Sequence, residues 1–413
     1  MLRILFLLLL FVTLTFISCN KESKKQQESN KILTDEELHS KADSLAKNII
    51  IVDTHIDLPY RLGEKYEDIS NRTLNGDFDF PRAKRGGLNA AFMSIYISPK
   101  YEGTGQAKTT ADNFISMIEN ISKKHPDKFA LAYSVADVTN QFKTGIISFA
   151  FGMENGSPIE GKLENLEYFY KKGIRYITLA HRRNNHISDS SFERNRKWNG
   201  LSPFGEEVVK EMNRLGIMVD VSHISDSAFY DVINLSKTPV IASHSSCRYF
   251  TPGWERNMSD EMIKALAKNG GVIQINFGSS FLDDELRIKE EKNEEYIANY
   301  IKENNFTDAE SHEVEATFLK ENHPGYASVK DVVTHINHVV KLVGIDHVGL
   351  GSDFEGLGDT LPVGLKDVSQ YPNLIYELLK EGYSDNDIIK ICSGNIIRVW
   401  SAVEEYAKNS SHK

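Results

Sequence analysis

The sequence has few cysteines, no excess of positive charge and no apolar run long enough to cross a membrane. Three cysteines in 413 residues do not indicate a disulfide-based fold. Lys and Arg number 48 against 58 Asp and Glu, and no basic stripe is present. Nucleic acid is therefore not expected as a partner, because such binding depends on clustered Lys and Arg. With 40% hydrophobic residues, the chain can bury one large core.

The N-terminus carries a short apolar run followed by a cysteine. The run from Ile4 to Ser18 is shorter than the roughly 20 residues that a membrane-spanning helix needs. We interpret residues 1 to 18 as a cleaved secretion signal, with an uncleaved anchor as the alternative. The sequence Ile17-Ser18-Cys19 resembles the lipobox of bacterial lipoproteins, in which the cysteine is lipidated and becomes the first mature residue.

Residues 19 to 45 are predicted to be the lipidated Cys19 and a polar tether. The stretch from 20 to 34 is almost free of large apolar side chains, as in a solvated linker. We therefore expect export across the inner membrane and attachment through lipid at the outer membrane, facing either the periplasm or the exterior. The remaining Cys247 and Cys392 lie far apart in sequence, and we predict that both are free and buried.

Eight short β-branched or apolar runs recur with helix-like segments between them. Several are nearly continuous in apolar residues, which is typical of parallel strands covered on both faces. Over residues 46 to 405 this pattern predicts an α/β fold, a TIM-type (β/α)8 barrel. A doubly wound open sheet is the alternative, and it would need fewer strands or a Gly-rich nucleotide loop. The predicted strands are 49–57, 88–98, 145–156, 175–181, 216–223, 239–246, 270–278 and 347–356.

Two segments between the strands are predicted to be capped helices, and one region departs from the alternation. Residues 203 to 216 and 259 to 271 carry apolar residues at helical spacing, begin with Ser or Pro and end in Gly. Residues from about 281 to 327 are dense in Glu, Lys and Asn. We predict a surface insertion of solvated helices there, with a partner-binding tail as the alternative.

Side chains that can bind metal lie near the C-terminal ends of six of the eight predicted strands. In a β/α barrel the active site lies at the C-terminal ends of the strands. Imidazole and carboxylate oxygen suit zinc, and an open coordination position allows it to generate hydroxide near neutral pH. A single histidine at a strand end is more commonly structural, so the prediction rests on the joint pattern. The residues are His55, Asp57, Glu154, His181, His223, His244 and Asp353.

The remaining histidines lie away from the strand ends and are predicted to be structural. His335 and His338 are three residues apart on a predicted helix, which is a spacing that can bind metal. No carboxylate motif lies near them in the sequence. We therefore do not assign them to a metal site.

The order of the motifs resembles the renal (membrane) dipeptidase family of metallopeptidases, family M19, across roughly residues 46 to 402. The matching segments are DTHID, GMENG, TLAH, GEEVVKEMNRLGIMVDVSH, ASHSS and GLGSDF. The resemblance implies a bacterial lipoprotein member with an amidohydrolase-like, metallo-dependent hydrolase barrel. It also implies hydrolysis of dipeptides to free amino acids through a metal-bridging hydroxide.

The resemblance further implies two zinc ions per chain. His55 and Asp57 would bind one ion, and His223 and His244 the other. Glu154 would bridge the two ions and so belong to the catalytic residues. Sites with two metals of this kind hold their ions roughly 3.5 to 4 Å apart.

The substrate contacts implied by the resemblance are His181, Arg256 and Asp353. His181 would steady the oxyanion of the attacked carbonyl. Asp353 would take a proton from the attacking water and deliver it to the leaving amine, unless it only orients a zinc-bound histidine. Arg256 would hold the terminal carboxylate of the dipeptide, with Arg248 as the rival for this role.

Two other functions stay open. Separately, the resemblance to the family implies a homodimer. A related amide, lactone or β-lactam hydrolase could use the same barrel. A peptide-binding lipoprotein without catalysis is a more distant alternative, because every expected position is filled. Contact with a membrane is expected only through the lipid on Cys19.

Overall fold

The computed structural model describes residues 33 to 410, in which the eight predicted strands form one parallel sheet. The strand order is β1-β2-β4-β5-β6-β7-β8-β9, and the additional β3 pairs with β4. This arrangement confirms the predicted barrel. The strands are β1 (Val52–Ile56), β2 (Ala90–Tyr96), β3 (Phe129–Leu131), β4 (Ile147–Glu154), β5 (Ile174–Thr178), β6 (Met218–Asp220), β7 (Ile241–Ser245), β8 (Val272–Ile275) and β9 (Val348–Leu350).

The sheet closes on itself between β1 and the residues that follow β9. Ile56 and Phe354 form a parallel bridge, and the Asp57 amide donates to the Phe354 carbonyl at 2.9 Å. The Asp353 amide donates to the His55 carbonyl at 3.1 Å. These bonds join the two ends of the sheet at the carboxyl end of the barrel, where the predicted site residues lie.

The opposite end of the barrel is filled by apolar side chains. Val52, Ala90, Met218, Ile241 and Val272 are each the first residue of a strand, and they belong to one buried core cluster. The C-terminal helix contributes further members to this cluster: Ile396, Val399, Trp400 and Val403. Burial of this apolar surface stabilises the barrel and closes its amino-terminal end.

The predicted strands differ from the observed ones mainly at their carboxyl ends. The sequence patterns extend three strands to positions 181, 223 and 356, whereas β5, β6 and β9 end at Thr178, Asp220 and Leu350. His223 and Asp353 have φ values of 67° and 65°. A strand cannot continue through such a left-handed residue, so these side chains lie in loops just beyond the sheet.

Helices alternate with the strands, and both predicted capped helices are present. The Ser202 side chain accepts from the Gly205 amide, and that of Ser259 accepts from the Met262 amide. The helices are α1 (Asp35–Asn48), α2 (Leu58–Glu64), α3 (Phe80–Gly86), α4 (Ala107–Lys124), α5 (Val135–Thr144), α6 (Glu164–Lys171), α7 (Pro203–Leu215), α8 (Asp226–Leu235), α9 (Asp260–Lys268), α10 (Ser279–Leu282), α11 (Asp284–Asn304), α12 (Asp308–Glu321), α13 (Val329–Val343), α14 (Tyr371–Lys380), α15 (Asp385–Ile389) and α16 (Asn395–Ser410).

Between β8 and α13 the chain forms the short α10 and the two longer helices α11 and α12, and the composition of this region predicts helices. Helix α11 is polar over most of its surface, and Ile297 is its buried side chain. The predicted bounds of this insertion, 281 to 327, enclose both helices. Hereafter we call residues 281 to 327 the excursion.

The predicted signal, Cys19 and residues 20 to 32 of the predicted tether lie outside the described residues. Residues 35 to 45, predicted as the end of the tether, are instead part of helix α1. The chain divides into two units at Lys41, and the first contributes residues 33 to 41 to the described part. Within residues 33 to 410, no helix combines the length and apolar character needed to cross a membrane. Cys247 and Cys392 are both free and buried, as predicted.

Candidate metal centre

Glu154, the last residue of β4, lies at the centre of the site. Its Oε2 atom is 3.6 Å from His55 Nε2. Its Oε1 atom is 3.1 Å from His223 Nε2 and 3.3 Å from His244 Nε2. The same oxygen is 3.4 Å from His181 Nε2. One carboxylate therefore faces two separate groups of side chains, one with each oxygen.

The first group, which we call the carboxylate half, consists of His55, Asp57 and Asp353. His55 Nε2 lies 3.5 Å from Asp57 Oδ2 and 3.9 Å from Asp353 Oδ1. Burial lowers the pKa of His55, but the neighbouring Tyr176 hydroxyl and the carboxylates of Asp57 and Glu154 outweigh it and hold this pKa well above its ordinary value. The carboxylates thus favour a positive charge at this point, whether a proton or a metal ion carries it.

The second group, the histidine half, consists of His181, His223 and His244. Burial lowers the pKa of His223 and His244 well below the ordinary value, and the nearby charge of Arg256 acts in the same direction. Both rings are therefore neutral. Their Nε2 atoms lie 2.8 Å apart and point to the same space beside Glu154. Neutral imidazole nitrogens in this arrangement are suited to bind a metal ion.

Hydrogen bonds fix the orientation of one histidine in each half. His55 Nδ1 donates to the Tyr176 hydroxyl at 2.9 Å, and that hydroxyl donates to the Thr54 carbonyl at 3.0 Å. His244 Nδ1 donates to Ser243 Oγ at 2.7 Å, and Ser243 Oγ donates to Asp220 Oδ2 at 2.6 Å. A proton held on Nδ1 leaves the Nε2 lone pair of each neutral ring available to a metal ion beside Glu154.

Asp53 and Asp220 tie neighbouring strands together beside these histidines. Asp53 Oδ1 accepts from the amides of His55 and Ser352, each at 3.0 Å. Asp220 Oδ1 accepts from the amides of Ser222 at 3.0 Å and Ser243 at 2.8 Å. Both aspartates are fully buried. They hold the strand ends in the register that brings the site residues together.

These residues fit a metal ion in each half of the site. Three sets of ligand atoms each lie within 4.8 Å of one another: His55, Glu154 and His244; Glu154, His181 and His223; and His55, Asp57 and Asp353. His55 Nε2 and Asp57 Oδ1 are buried and have no hydrogen-bond partner among the described residues. Because unpaired buried polar atoms are costly, these two atoms are most simply explained as metal ligands.

The sequence model of the family described as membrane dipeptidase, peptidase family M19, matches residues 39 to 413. The chain belongs to the membrane dipeptidase family. Family membership confirms the predicted resemblance and makes the chain a metallopeptidase of the dipeptidase type.

Relatives of known name and structure agree with this assignment. Dipeptidase aclJ of Aspergillus oryzae (strain ATCC 42149 / RIB 40) is 35% identical over 344 residues, which are 81% of this chain and 72% of that protein. The crystal structure of the probable dipeptidase PvdM from Pseudomonas aeruginosa is similar with a TM-score of 0.80 and 28% identity, over 90% of this chain and 100% of that one. A metallo peptidase from Rhodobacter sphaeroides, liganded with a phosphinate mimic of the dipeptide L-Ala-D-Ala, has a TM-score of 0.71 at 25% identity, over 86% of this chain and 99% of that one.

In this member of the family, Arg256 and not Arg248 reaches the histidine half. Arg256 is buried, and its Nη2 donates to the His244 carbonyl at 2.7 Å and lies 3.0 Å from His223 Nε2. Its Nη1 donates to Ser245 Oγ at 2.8 Å. Arg248 instead pairs with Asp226, at 2.6 and 2.7 Å. The structure therefore separates the two arginines that the sequence left as rivals.

His181 and Asp353 belong to different halves of the site in this dipeptidase. Burial lowers the pKa of His181 to about 4, so its ring is neutral near pH 7. Burial raises the pKa of Asp353 to about 8. Asn276 Nδ2 donates to Asp353 Oδ2 at 2.8 Å, which leaves Asp353 Oδ1 facing His55. Asp353 can therefore hold and release a proton near neutral pH.

The other histidine pair that can bind metal by spacing is bonded to protein atoms. His335 Nδ1 accepts from the Cys247 amide at 3.0 Å, and its Nε2 lies 3.1 Å from the Leu282 carbonyl. His338 Nε2 lies 2.7 Å from Asp260 Oδ1. These contacts agree with the structural role predicted for both residues.

Three residues that support the ligands were not among those predicted from the sequence. Tyr176 and Asp220 lie within β5 and β6, and Ser243 precedes His244 in β7. A signal was available, because Asp220 and Ser243 are polar residues inside runs otherwise predicted to be buried strands. Their partners lie on neighbouring strands, however, and that pairing is visible only in the fold.

Proposed function

We propose that the chain hydrolyses dipeptides to free amino acids and binds two zinc ions, one in each half, with Glu154 between them. The observation that carries this proposal is the placement of Glu154, with Oε2 3.6 Å from His55 Nε2 and Oε1 3.1 Å from His223 Nε2. Two ligands of a tetrahedral zinc ion, each about 2.0–2.1 Å from it, lie roughly 3.3 Å apart. The separations beside Glu154 match that spacing.

The ligands divide between the halves as follows in this proposal. His55 and Asp57 would hold one ion, and His223 and His244 the other. Bound zinc would lower the pKa of a water molecule and polarise the peptide carbonyl. Tyr176, Ser243 and Asp220 would keep the imidazoles in the tautomer that binds metal.

Two side chains would handle charge and protons during hydrolysis. The neutral His181 would donate a hydrogen bond to the carbonyl oxygen as negative charge develops on it. Asp353 Oδ1 would accept the proton of the attacking water and transfer it to the leaving amine. The pKa of about 8 that burial gives Asp353 supports a role in which the group is alternately protonated and ionised.

Arg256 would bind the free carboxylate at the C-terminus of the dipeptide. Its guanidinium is held against the histidine half by Ser245 and the His244 carbonyl. A fixed guanidinium binds a carboxylate with two parallel hydrogen bonds. The relative from Rhodobacter sphaeroides is liganded with a mimic of a dipeptide, which supports a substrate of this size here.

Release of free amino acids from matched peptides tests the substrate class. The metal-loaded full-length chain should hydrolyse Ala-Ala and Gly-Ala, while Ala-Ala-Ala and N-acetylated Ala-Ala react much more slowly. Equal turnover of the blocked peptide would contradict recognition of a free dipeptide. Turnover of a cyclic amide, lactone or β-lactam without turnover of any dipeptide would favour the alternative hydrolase.

We also propose that the chain is exported and anchored through lipid on Cys19. The short apolar run, the lipobox-like Ile17-Ser18-Cys19 and the polar tether support this location. Metabolic labelling with a radioactive fatty acid should label the chain, and Cys19→Ala should abolish the label. Persistence of the label in that variant would contradict the proposal. The homodimer stays a prediction for sedimentation analysis.

A further inference from the structure

Arg182 is an exposed cation directly beside the site. It follows His181, and its side chain is 60% exposed. Its guanidinium carbon lies 5.4 Å from the centre of the Phe192 ring, and Phe192 in turn stacks on His223 at 5.8 Å. Arg182 is therefore connected to the histidine half through the Phe192 ring.

The charge of Arg182 reaches the groups that line the site. Burial lowers the pKa of His181 to about 4 and that of Arg256 to about 10, and Arg182 acts on both in the same direction. Its charge also acts on Glu290 of α11, and its guanidinium forms an ion pair with Glu294 of the same helix, at 3.9 Å. This contact is longer than a hydrogen bond, so the guanidinium keeps its donors for another acceptor.

Arg256 and Arg182 differ in how firmly neighbouring groups hold their side chains. Arg256 is buried and makes hydrogen bonds to Ser245 and to the His244 carbonyl. Arg182 is exposed, packs against Phe192 and lies 3.9 Å from Glu294. The first is suited to one fixed carboxylate, such as the terminal group of every dipeptide. The second is suited to a group that some substrates carry and others lack.

The cations of the site are not evenly distributed. The carboxylate half holds Asp57 and Asp353, whose oxygens lie beside His55. The opposite side holds Arg256 and Arg182, which attract carboxylates. The net charge of the chain is −10, so its overall field repels acidic substrates and any preference for them must come from local cations.

We propose that Arg182 recognises the side-chain carboxylate of the C-terminal residue, so that dipeptides ending in Asp or Glu are preferred. This inference rests on the proposed dipeptidase function. Glu294 competes with the substrate for Arg182, and the excursion thereby tunes the preference. An exposed ion pair of this kind changes kcat/KM by about three- to fivefold.

The test compares matched substrates that differ only in charge. Ala-Glu and Ala-Gln, and Ala-Asp and Ala-Asn, are supplied to the metal-loaded full-length chain with either stereoisomer at the second residue. We expect the acidic member of each pair to have the higher kcat/KM, through a lower KM. Arg182→Gln should bring the ratio of kcat/KM for the acidic substrate to kcat/KM for its amide near one. Arg182→Lys should keep most of this preference. Glu294→Gln should raise the ratio, and added salt should lower it.

Two controls show whether the preference depends on Arg182 itself and on the second residue of the substrate. Arg183→Gln removes a neighbouring exposed cation and should leave the ratio unchanged. Glu-Ala and Gln-Ala, in which the charge is on the first residue, should show no preference for the acid. An unchanged ratio in Arg182→Gln, with Ala-Gln still hydrolysed, would overturn the role of Arg182. The proposed dipeptidase function would be unaffected by that result. Failure of the unaltered chain to hydrolyse any dipeptide would overturn both.

Discussion

The two halves of the site face the same carboxylate of Glu154 but differ in charge. Around His55, acidic side chains hold the pKa of the imidazole well above its ordinary value despite burial. Around His223, burial and the Arg256 charge lower the pKa well below it. The carboxylate half therefore attracts a cation by charge, whereas the histidine half offers neutral nitrogens in a fixed geometry. Glu154 is the group that joins these two environments.

Removing the charge of Glu154 should have the largest effect, because it disturbs both halves together. Glu154→Gln keeps the shape of the side chain but weakens a ligand shared by two ions. We expect kcat/KM for Ala-Ala to fall on the order of a thousandfold. The thermal unfolding of the metal-free variant should stay close to that of the unaltered chain, which would show that the fold is intact.

Arg256 and Arg248 provide the next comparison. Arg256→Gln removes the guanidinium that faces the histidine half, and we expect KM for Ala-Ala to rise roughly tenfold to a hundredfold. Arg248→Gln breaks the pair with Asp226 and the hydrogen bonds to the Asn257 and Glu255 carbonyls. None of these partners is a proposed metal ligand, so KM should stay within about twofold while stability falls by about 1 kcal/mol. If KM rose more in Arg248→Gln than in Arg256→Gln, Arg248 would be the residue that binds the terminal carboxylate.

The hydrogen bonds behind the imidazoles can be broken in one half at a time. Tyr176→Phe removes the partner of His55, and Asp220→Asn weakens the chain through Ser243 to His244. Each variant should lower the zinc affinity of its own half by about ten- to a hundredfold. Competition with a fluorescent chelator measures this affinity. Tyr168→Phe is the control, because the Tyr168 hydroxyl contacts Asp112 outside the site. It should leave the zinc affinity of both halves unchanged.

The metal-free protein should show a gradual dependence of stability on pH. The pKa of His181 is about 4 because the ring is buried, whereas an unfolded histidine has a pKa near 6.5. The unfolded state therefore binds more protons below about pH 6.5, and stability should fall by about 1–3 kcal/mol as the pH drops to about 4. Urea unfolding at several pH values measures the slope, and His181→Gln should reduce it. An equal slope in the variant would assign it to other groups.

Much of the site could be predicted because its residues follow strands in a recognisable order. His55, Glu154 and His244 are each part of a strand whose apolar pattern marks where it ends. The left-handed backbone at His223 and Asp353 could not be predicted, because both residues continue the apolar pattern of a strand. Strand β3 was also missed, since it has three residues and pairs on one side only.

The supporting contacts were hidden from the sequence for a different reason. Asp220 binds the amides of Ser222 and Ser243 from two neighbouring strands, and no periodicity in one strand encodes that pairing. The contact of Arg182 with Glu294 joins residues more than one hundred positions apart, and Glu294 belongs to the excursion. The composition of the excursion predicted solvated helices, but not that Glu294 is the side chain that lies near Arg182.

Metal analysis tests most directly whether Glu154 holds one zinc ion in each half of the site. The unaltered full-length chain, purified with zinc and freed of excess metal, should contain about two zinc ions per chain. Glu154→Gln should contain fewer than one after the same treatment. A content of one zinc ion in the unaltered chain, or two in the variant, would contradict the bridging role of Glu154.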